Sequence, residues 1–289
     1  MRYKYFIILS IVALTAVICN PATGLASILD SADNFAVLAG STVTNTGNTT
    51  VNGDIGVWAG SAYTGDGTVT QVGAKYLGDA VAQTAQGDVT TAFNSLALMP
   101  VNTVLTDQNL GGQILAPGVY KFASDALLTG TLTLDAQGFN NVYWVFQIGT
   151  ALTTESASAV KFINLGTNGG SDNGVFWQVG SSATLNTGTK FIGNILADQS
   201  ISLKTGAILD GRALARIGAV TMEGNTIIDN NGNIIIENNG NIIDNNGSGV
   251  NGGLEYGQNI ERVVPEPMSL SLLGLGLLGV IGRGIRRKK

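Results

Sequence analysis

Apolar and polar positions in residues 185–216, LNTGTKFIGNILADQSISLKTGAILDGRALAR, return every eighteen residues. Leu185 falls on Leu203, Thr187 on Thr205, Gly188 on Gly206, Gly193 on Gly211, Leu196 on Leu214 and Ala197 on Ala215. A chain that turns three corners per coil, with a short strand on each side, consumes about that many residues. Each coil buries its inward aliphatic residues and exposes the alternate ones. The pattern therefore predicts a parallel β-solenoid. In it Leu185 and Leu203, Phe191 and Leu209, and Leu196 and Leu214 stack as interior columns. Gly170, Gly188, Gly206 and Gly224 share the spacing. They suit a corner that needs positive φ or close backbone approach.

One stretch departs from this period. In DAVAQTAQGDVTTAFNSLALMP, residues 79–100, Val81, Ala85, Val89, Ala92, Phe93 and Leu96 fall on one helical face. Asp79 follows Gly78 and can cap the start, and Pro100 marks the stop. A helix with a single apolar stripe must lie on something, and a flank of the solenoid is the available partner.

Composition narrows the chemistry. The chain has 289 residues, 40 of them Gly, with 12% charged residues and no His. It is too hydrophobic to be disordered and dense in turns, as β-rich coils require. Residues 27–282 hold 8 basic and 20 acidic side chains, a balance that repels nucleic acid. Without His, the usual general base and metal ligand is missing, and no metal or cofactor is expected. A carboxylate and arginine cluster, Asp210, Arg212 and Arg216, is the best catalytic candidate, and a corner salt bridge accounts for it more simply. Trp144, Trp177, Tyr143 and Phe176 lie in apolar strand runs and read as core packing rather than a sugar platform.

The two ends carry targeting signals. Residues 1–26 have a basic start at Arg2 and Lys4, an apolar run and the small-residue site Gly24-Leu25-Ala26, the pattern of a secretory signal peptide. Cys19, the single cysteine, lies inside it, preceded by Ile18 where a lipobox needs a small residue. The mature chain thus uses neither disulfides nor thiolate chemistry. At the other end Val264, Pro265, Glu266 and Pro267 precede an apolar run, residues 268–281, and a basic tail with Arg283, Arg286 and Arg287. The run is short for a lasting membrane span. This arrangement resembles the PEP-CTERM sorting signal. The resemblance implies export, a transient hold in the inner membrane, processing by an exosortase-type protease and release to the cell surface or extracellular matrix. Before it, residues 228–262 repeat an Ile-Ile-Asp-Asn-Asn-Gly theme at steps of eight and seven. Those steps are too short for a coil, and the ligand pattern of a calcium loop is absent, so the stretch reads as a polar spacer.

The body, residues 27–227, carries a second resemblance. LAGSTVTNTGNTTVNGDIGV (38–57), the helix, LAPGVYKF (115–122), TLTLDAQGFNNVYWVFQIG (131–149), VFWQVGSSATLNTGT (175–189) and LDGRALARIGAVTMEGNTI (209–227) occur in that order. Together they resemble the ice-binding-protein family of discontinuous β-solenoids. The resemblance implies a mainly β chain: a right-handed, three-faced parallel β-solenoid with one long α-helix packed alongside. It also implies that N- and C-terminal strands interleave in the stack.

The family's ice-active, antifreeze-type members hold ice on a flat face, often through Thr-Gly/Ala-x-Thr/Asn on adjacent rungs. The corresponding stretches, Thr187-Gly188-Thr189-Lys190 and Thr205-Gly206-Ala207-Ile208, keep the first two positions and depart at the fourth, to Lys190 and Ile208. Thr187, Thr189, Thr205, Ala207 and Asn225 are accordingly the expected ice-contacting residues. The expected partners are an ice surface, the processing protease and extracellular polysaccharide, with no nucleic acid, and the protein is expected to be a monomer. Two rival readings stand beside this one. The first is a matrix or adhesive structural protein that kept the scaffold without ice activity. The second, more distant, is a polysaccharide-active enzyme.

Overall fold

The computed structural model describes residues 28–229, apart from 168, 171 and 172, together with two short paired strands, Ile235–Ile236 and Ile242–Ile243. The expected secretory signal, most of the expected spacer and the expected sorting tail lie outside the described residues. Three parallel sheets of nine, seven and eight strands form the body and are called faces A, B and C. The chain visits A, B and C in turn, one short strand on each, as the eighteen-residue period requires.

The coils are not stacked in chain order. Phe35–Ala39, Thr42–Thr46 and Thr49–Asn52 form the first coil, and the chain then climbs to Lys75–Leu77 at one end of face A. The helix, Ala80–Ala97, follows. The strands resume at the opposite end of face A with Thr103–Val104 and climb back to Ala213–Ala215, Val220–Glu223 and Thr226–Ile228. That last coil meets the first one: Val37 pairs with Ala213, Thr44 with Thr221 and Thr50 with Thr226. First and last coils are thus neighbours in mid-stack. Nine strands spaced about 4.8 Å apart span roughly 38 Å. An eighteen-residue helix covers about 27 Å of that, and its flanking residues supply the rest.

The helix begins where Asp79 accepts from the backbone N–H of Ala82 at 2.9 Å. Its buried stripe is Ala82, Ala85, Gln86, Val89, Ala92, Phe93 and Leu96. Val81, expected on this stripe, is 47% exposed. It sits at the stripe's margin, and Ala82 takes the inward place. The helix packs on the outer side of face A, against Val119, Val145, Phe176, Leu196 and Leu214. Gln86 and Gln147 fasten it: each side-chain amide donates to two backbone carbonyls, Gln86 to Ala215 and Arg216, Gln147 to Leu96 and Met99.

The face A strands beneath the helix are therefore buried on both sides, while the end strands Lys75–Leu77 and Thr103–Val104 keep exposed residues. That corrects one expectation. Leu196 and Leu214 do stack in register, but outside the coil beneath the helix. A strand covered on both faces is apolar at every position, so alternation cannot say which side points inward. Leu185, Leu203, Phe191 and Leu209 do lie inside the coil. There Phe146, Trp177 and Phe191 stack through the coil, with ring centroids 3.9 Å and 4.7 Å apart. Trp144 and Trp177 are fully buried, and each indole N–H donates to a carbonyl, of Leu115 and Ile192. Gly170, Gly188, Gly206 and Gly224 all have φ between 62° and 85°. At Gly188 and Gly206 an added Cβ would meet nothing within 4 Å, so the corner demands the left-handed backbone and not the space.

Candidate functional site

Faces A and B differ in what they offer to water. The helix covers A. Face B is uncovered by any element among the described residues, and its strands read alternately inward and outward. The outward positions form two columns. In register across adjacent strands stand Thr153, Thr184, Ser202, Thr221, Thr44 and Thr64. Two residues earlier stand Ala151, Ser182, Ser200 and Ala219, each immediately before its strand, and Thr42 and Ala62, each opening its own. Each strand thus reads small–apolar–hydroxyl, from Ala151-Leu152-Thr153 to Ala62-Tyr63-Thr64. The middle residues Leu152, Ala183, Ile201, Val220 and Val43 point into the core and are at most 1% exposed.

The geometry of this surface follows from the backbone. Rungs repeat about every 4.8 Å across strands, and the two columns lie about 6.7 Å apart along them. Threonine holds its methyl and hydroxyl in few χ1 states, so the array costs little entropy to keep still. Thr64 donates to Thr44 at 3.4 Å. Among the described residues, the hydroxyls of Thr153, Thr184, Ser202 and Thr221 make no side-chain hydrogen bond and are left for solvent. Neither column carries a charge on these six rungs. Leu127 continues the hydroxyl column on the end strand as an apolar residue, 39% exposed.

Charges begin two residues further along, at the corner between B and C. There Lys204 donates to Glu223 at 2.9 Å and Thr205 to the same carboxylate at 3.4 Å. The hydrogen bond from Lys204 is the main reason that carboxyl sits below its usual range. On these two rungs the rim of face B carries a neutralised ion pair, while Glu155 on a neighbouring rung is exposed.

Thr187 and Thr205 are exposed, but at this corner and not on the flat of the face. Thr189 and Ala207 are 0% exposed and Asn225 is 3% exposed. These three are corrected: a side chain inside the coil cannot touch a surface outside it. Their role is to brace the corner. Thr189 and Thr154 share a hydrogen bond of 2.8 Å, and Asn225 donates to the carbonyls of Lys204 and Ala207 at 2.8 and 3.2 Å. Lys190 and Ile208 turn outward on face C, paired with each other. They lie away from the hydroxyl column altogether.

Of the other candidate cluster, Asp210 and Arg212 remain in electrostatic reach of each other, while Arg216 turns to a different partner. Arg212 is fully buried, pairs with Asp33 at 2.9 Å and donates to Asn194 at 2.9 Å. Arg216 pairs with Asp198 and lies over Phe93. Both arginines serve packing, as the salt-bridge reading expects, although their partners come from other coils. No group of three or more metal-ligating side chains occurs among the described residues.

The hydroxyl column escaped the sequence reading for two reasons. Its eighteen-residue signal is Thr184 over Ser202, one position before the stretch whose repeat was most regular. Its other half, Thr44 and Thr64, joins the stack from the opposite end of the chain, where the period does not carry across. Small–apolar–hydroxyl triplets recurring on six strands are the signal that finds it.

Comparison with known proteins agrees with this geometry. A family model described as ice-binding-like matches residues 37–228, and one described as the PEP-CTERM protein-sorting motif matches residues 263–288. An ice-binding protein of Nostoc sp. (strain HG1) is 45% identical over 281 residues, covering 96% of this chain and 94% of its own. The crystal structure of an ice-binding protein from the Antarctic ascomycete Antarctomyces psychrotrophicus superposes with a TM-score of 0.66 at 36% identity, over 71% of this chain and 98% of that one. An ice-binding protein from an Antarctic biological consortium gives 0.66 at 42% identity, over 74% and 96%. Spanning both the interleaved coils and the covering helix, these matches place the chain in the ice-binding-like family, with a PEP-CTERM sorting motif behind its solenoid.

Proposed function

We propose that the protein adsorbs to ice through face B, without catalysis. The observation that carries this reading is the charge-free double column of small and hydroxyl side chains on six strands. A crystal surface is a fixed two-dimensional array. The matching surface must be flat, periodic and already ordered, because each side chain frozen on binding subtracts from affinity. Threonines on a parallel sheet meet all three needs. Thr187 and Thr205 lie at the rim of this face and would contact ice at its margin.

Residues 1–26 would direct export, and the sorting motif would bring the solenoid to the cell surface or matrix after a transient hold in the inner membrane. An exosortase-type protease would act near Pro265, and extracellular polysaccharide is the natural neighbour there. The testing experiment is microscopy of ice crystals grown in the purified mature protein. Faceted crystals support adsorption. Smooth discs at high protein concentration would leave the matrix-protein reading in its place.

A further inference from the structure

The path of the chain fixes where it enters and leaves the solenoid. The first strand, Phe35–Ala39, lies on face A beside Ala213–Ala215 of the last coil. It therefore fills the place on face A that the chain would take next after Thr226–Ile228 on face C. Unable to continue, the chain leaves at Asp229, at the vertex between C and A. It also arrives at that vertex, through the short 3-10 helix Asp30–Asn34.

Hydrogen bonds hold each passage to the coil at this vertex. Arg212, fully buried, donates through Nε and NH2 to the carbonyl of Asp33 at 2.9 and 2.7 Å on the incoming segment. On the outgoing one, the Asp229 N–H donates to the carbonyl of Asn52 at 3.0 Å, and a Cβ at Gly53 would stand 2.5 Å from the Asp229 carboxylate. Leu29 and Ala32 are buried between face A and the helix. Both ends of the solenoid are thus held at one vertex. In a coil with three faces, the vertex between C and A is the one that face B does not touch.

We infer that the solenoid works while held by its carboxyl-terminal end, with the C–A vertex turned toward the cell surface or matrix that holds it and face B turned away toward ice. The inference rests on face B being the ice-binding surface. Residues 230–262 come between the vertex and the sorting motif. A tether at this vertex leaves face B free to meet a crystal, whereas a tether beside face B would crowd it.

The test uses residues 27–262, since the solved relative covers 98% of its own length with this solenoid and so shows that the solenoid folds by itself. With Cys19 gone, a single introduced thiol is unique. Ser248→Cys places it in the spacer, and Gln199→Cys at the corner between A and B, beside face B. Each protein is coupled to beads by that thiol, and capture of beads on a growing ice front is counted. Free Gln199→Cys protein should shape ice as the parent does. Spacer-coupled beads should be captured, and Gln199-coupled beads should lose capture. Equal capture from both sites, or none from spacer-coupled beads whose free protein shapes ice, overturns the inference. If the free protein shapes no ice at all, the reading of face B fails first and the inference falls with it.

Discussion

The guanidinium of Arg216 lies over the ring of Phe93, its central carbon 4.5 Å from the ring centroid. The same guanidinium pairs with Asp198 one coil away. One side chain thus ties the helix, the last coil and its neighbour. Phe93→Ala removes the helix's largest buried side chain and the partner of that cation, and should cost about 3–5 kcal/mol. Urea melts of mutant and parent measure it. An unchanged midpoint would show that the helix does not dock on face A.

Face B should respond to substitution in function and not in stability. Thr184→Tyr raises a ring on the second of the six rungs of the hydroxyl column and should lower freezing hysteresis sharply, with stability changed by less than about 0.5 kcal/mol. Ser202→Thr restores the one missing methyl in that column and should raise hysteresis. The pair Lys190→Thr and Ile208→Thr alters face C alone and should leave hysteresis where it was. A rise in that double mutant would move the ice contact to face C.

Stability should fall as pH rises through neutrality. Burial pushes the carboxyls of Asp210 and Asp229 up to about 7 from an ordinary 3.8. Arg212 opposes the shift at both, and Asp33 and Asp54 add to it at Asp229. A carboxyl raised on folding binds its proton more tightly in the native state. Its contribution is fully present below about 4 and is lost as pH climbs through about 7. The melting temperature at pH 5.5 should therefore exceed that at pH 8. Asp229→Asn should reduce the difference, and a Tm that rises across this range would contradict it.

The tail should act as a processing signal. Pro265→Ala with Glu266→Ala should leave a longer, membrane-associated form in cells that carry the sorting protease. Immunoblots of membrane and medium fractions decide it: mature protein that keeps Arg283, Arg286 and Arg287 in untreated cells would rule processing out.

The corners and the helix were legible in the sequence, because their causes are local. A left-handed residue every eighteen positions needs glycine, and one apolar stripe ending at Pro100 needs a helix. Inside and outside on face A were not legible, since the helix makes Leu196 as buried as Leu185. The expected ice-contact residues stand one corner away from the hydroxyl column. Thr187 and Thr205 stand at the rim of the face, while Thr189, Ala207 and Asn225 follow the turn inward. A motif aligned by sequence cannot tell a strand's flat from its corner, because a single residue of offset exchanges the two.

The meeting of first and last coils also has a consequence for the order of synthesis. Thr44 and Thr221 are neighbours in the hydroxyl column, yet nearly the whole solenoid is made between them. A chain emerging amino end first presents its opening coils and helix with one sheet edge unpaired until the final coil arrives. Such long-range closure is slow, and the open edge is prone to aggregation while it lasts. Face B is therefore completed by the last strands of the solenoid to be made. A truncated or half-exported chain holds only part of the hydroxyl array, which closes only once Val220–Glu223 has emerged.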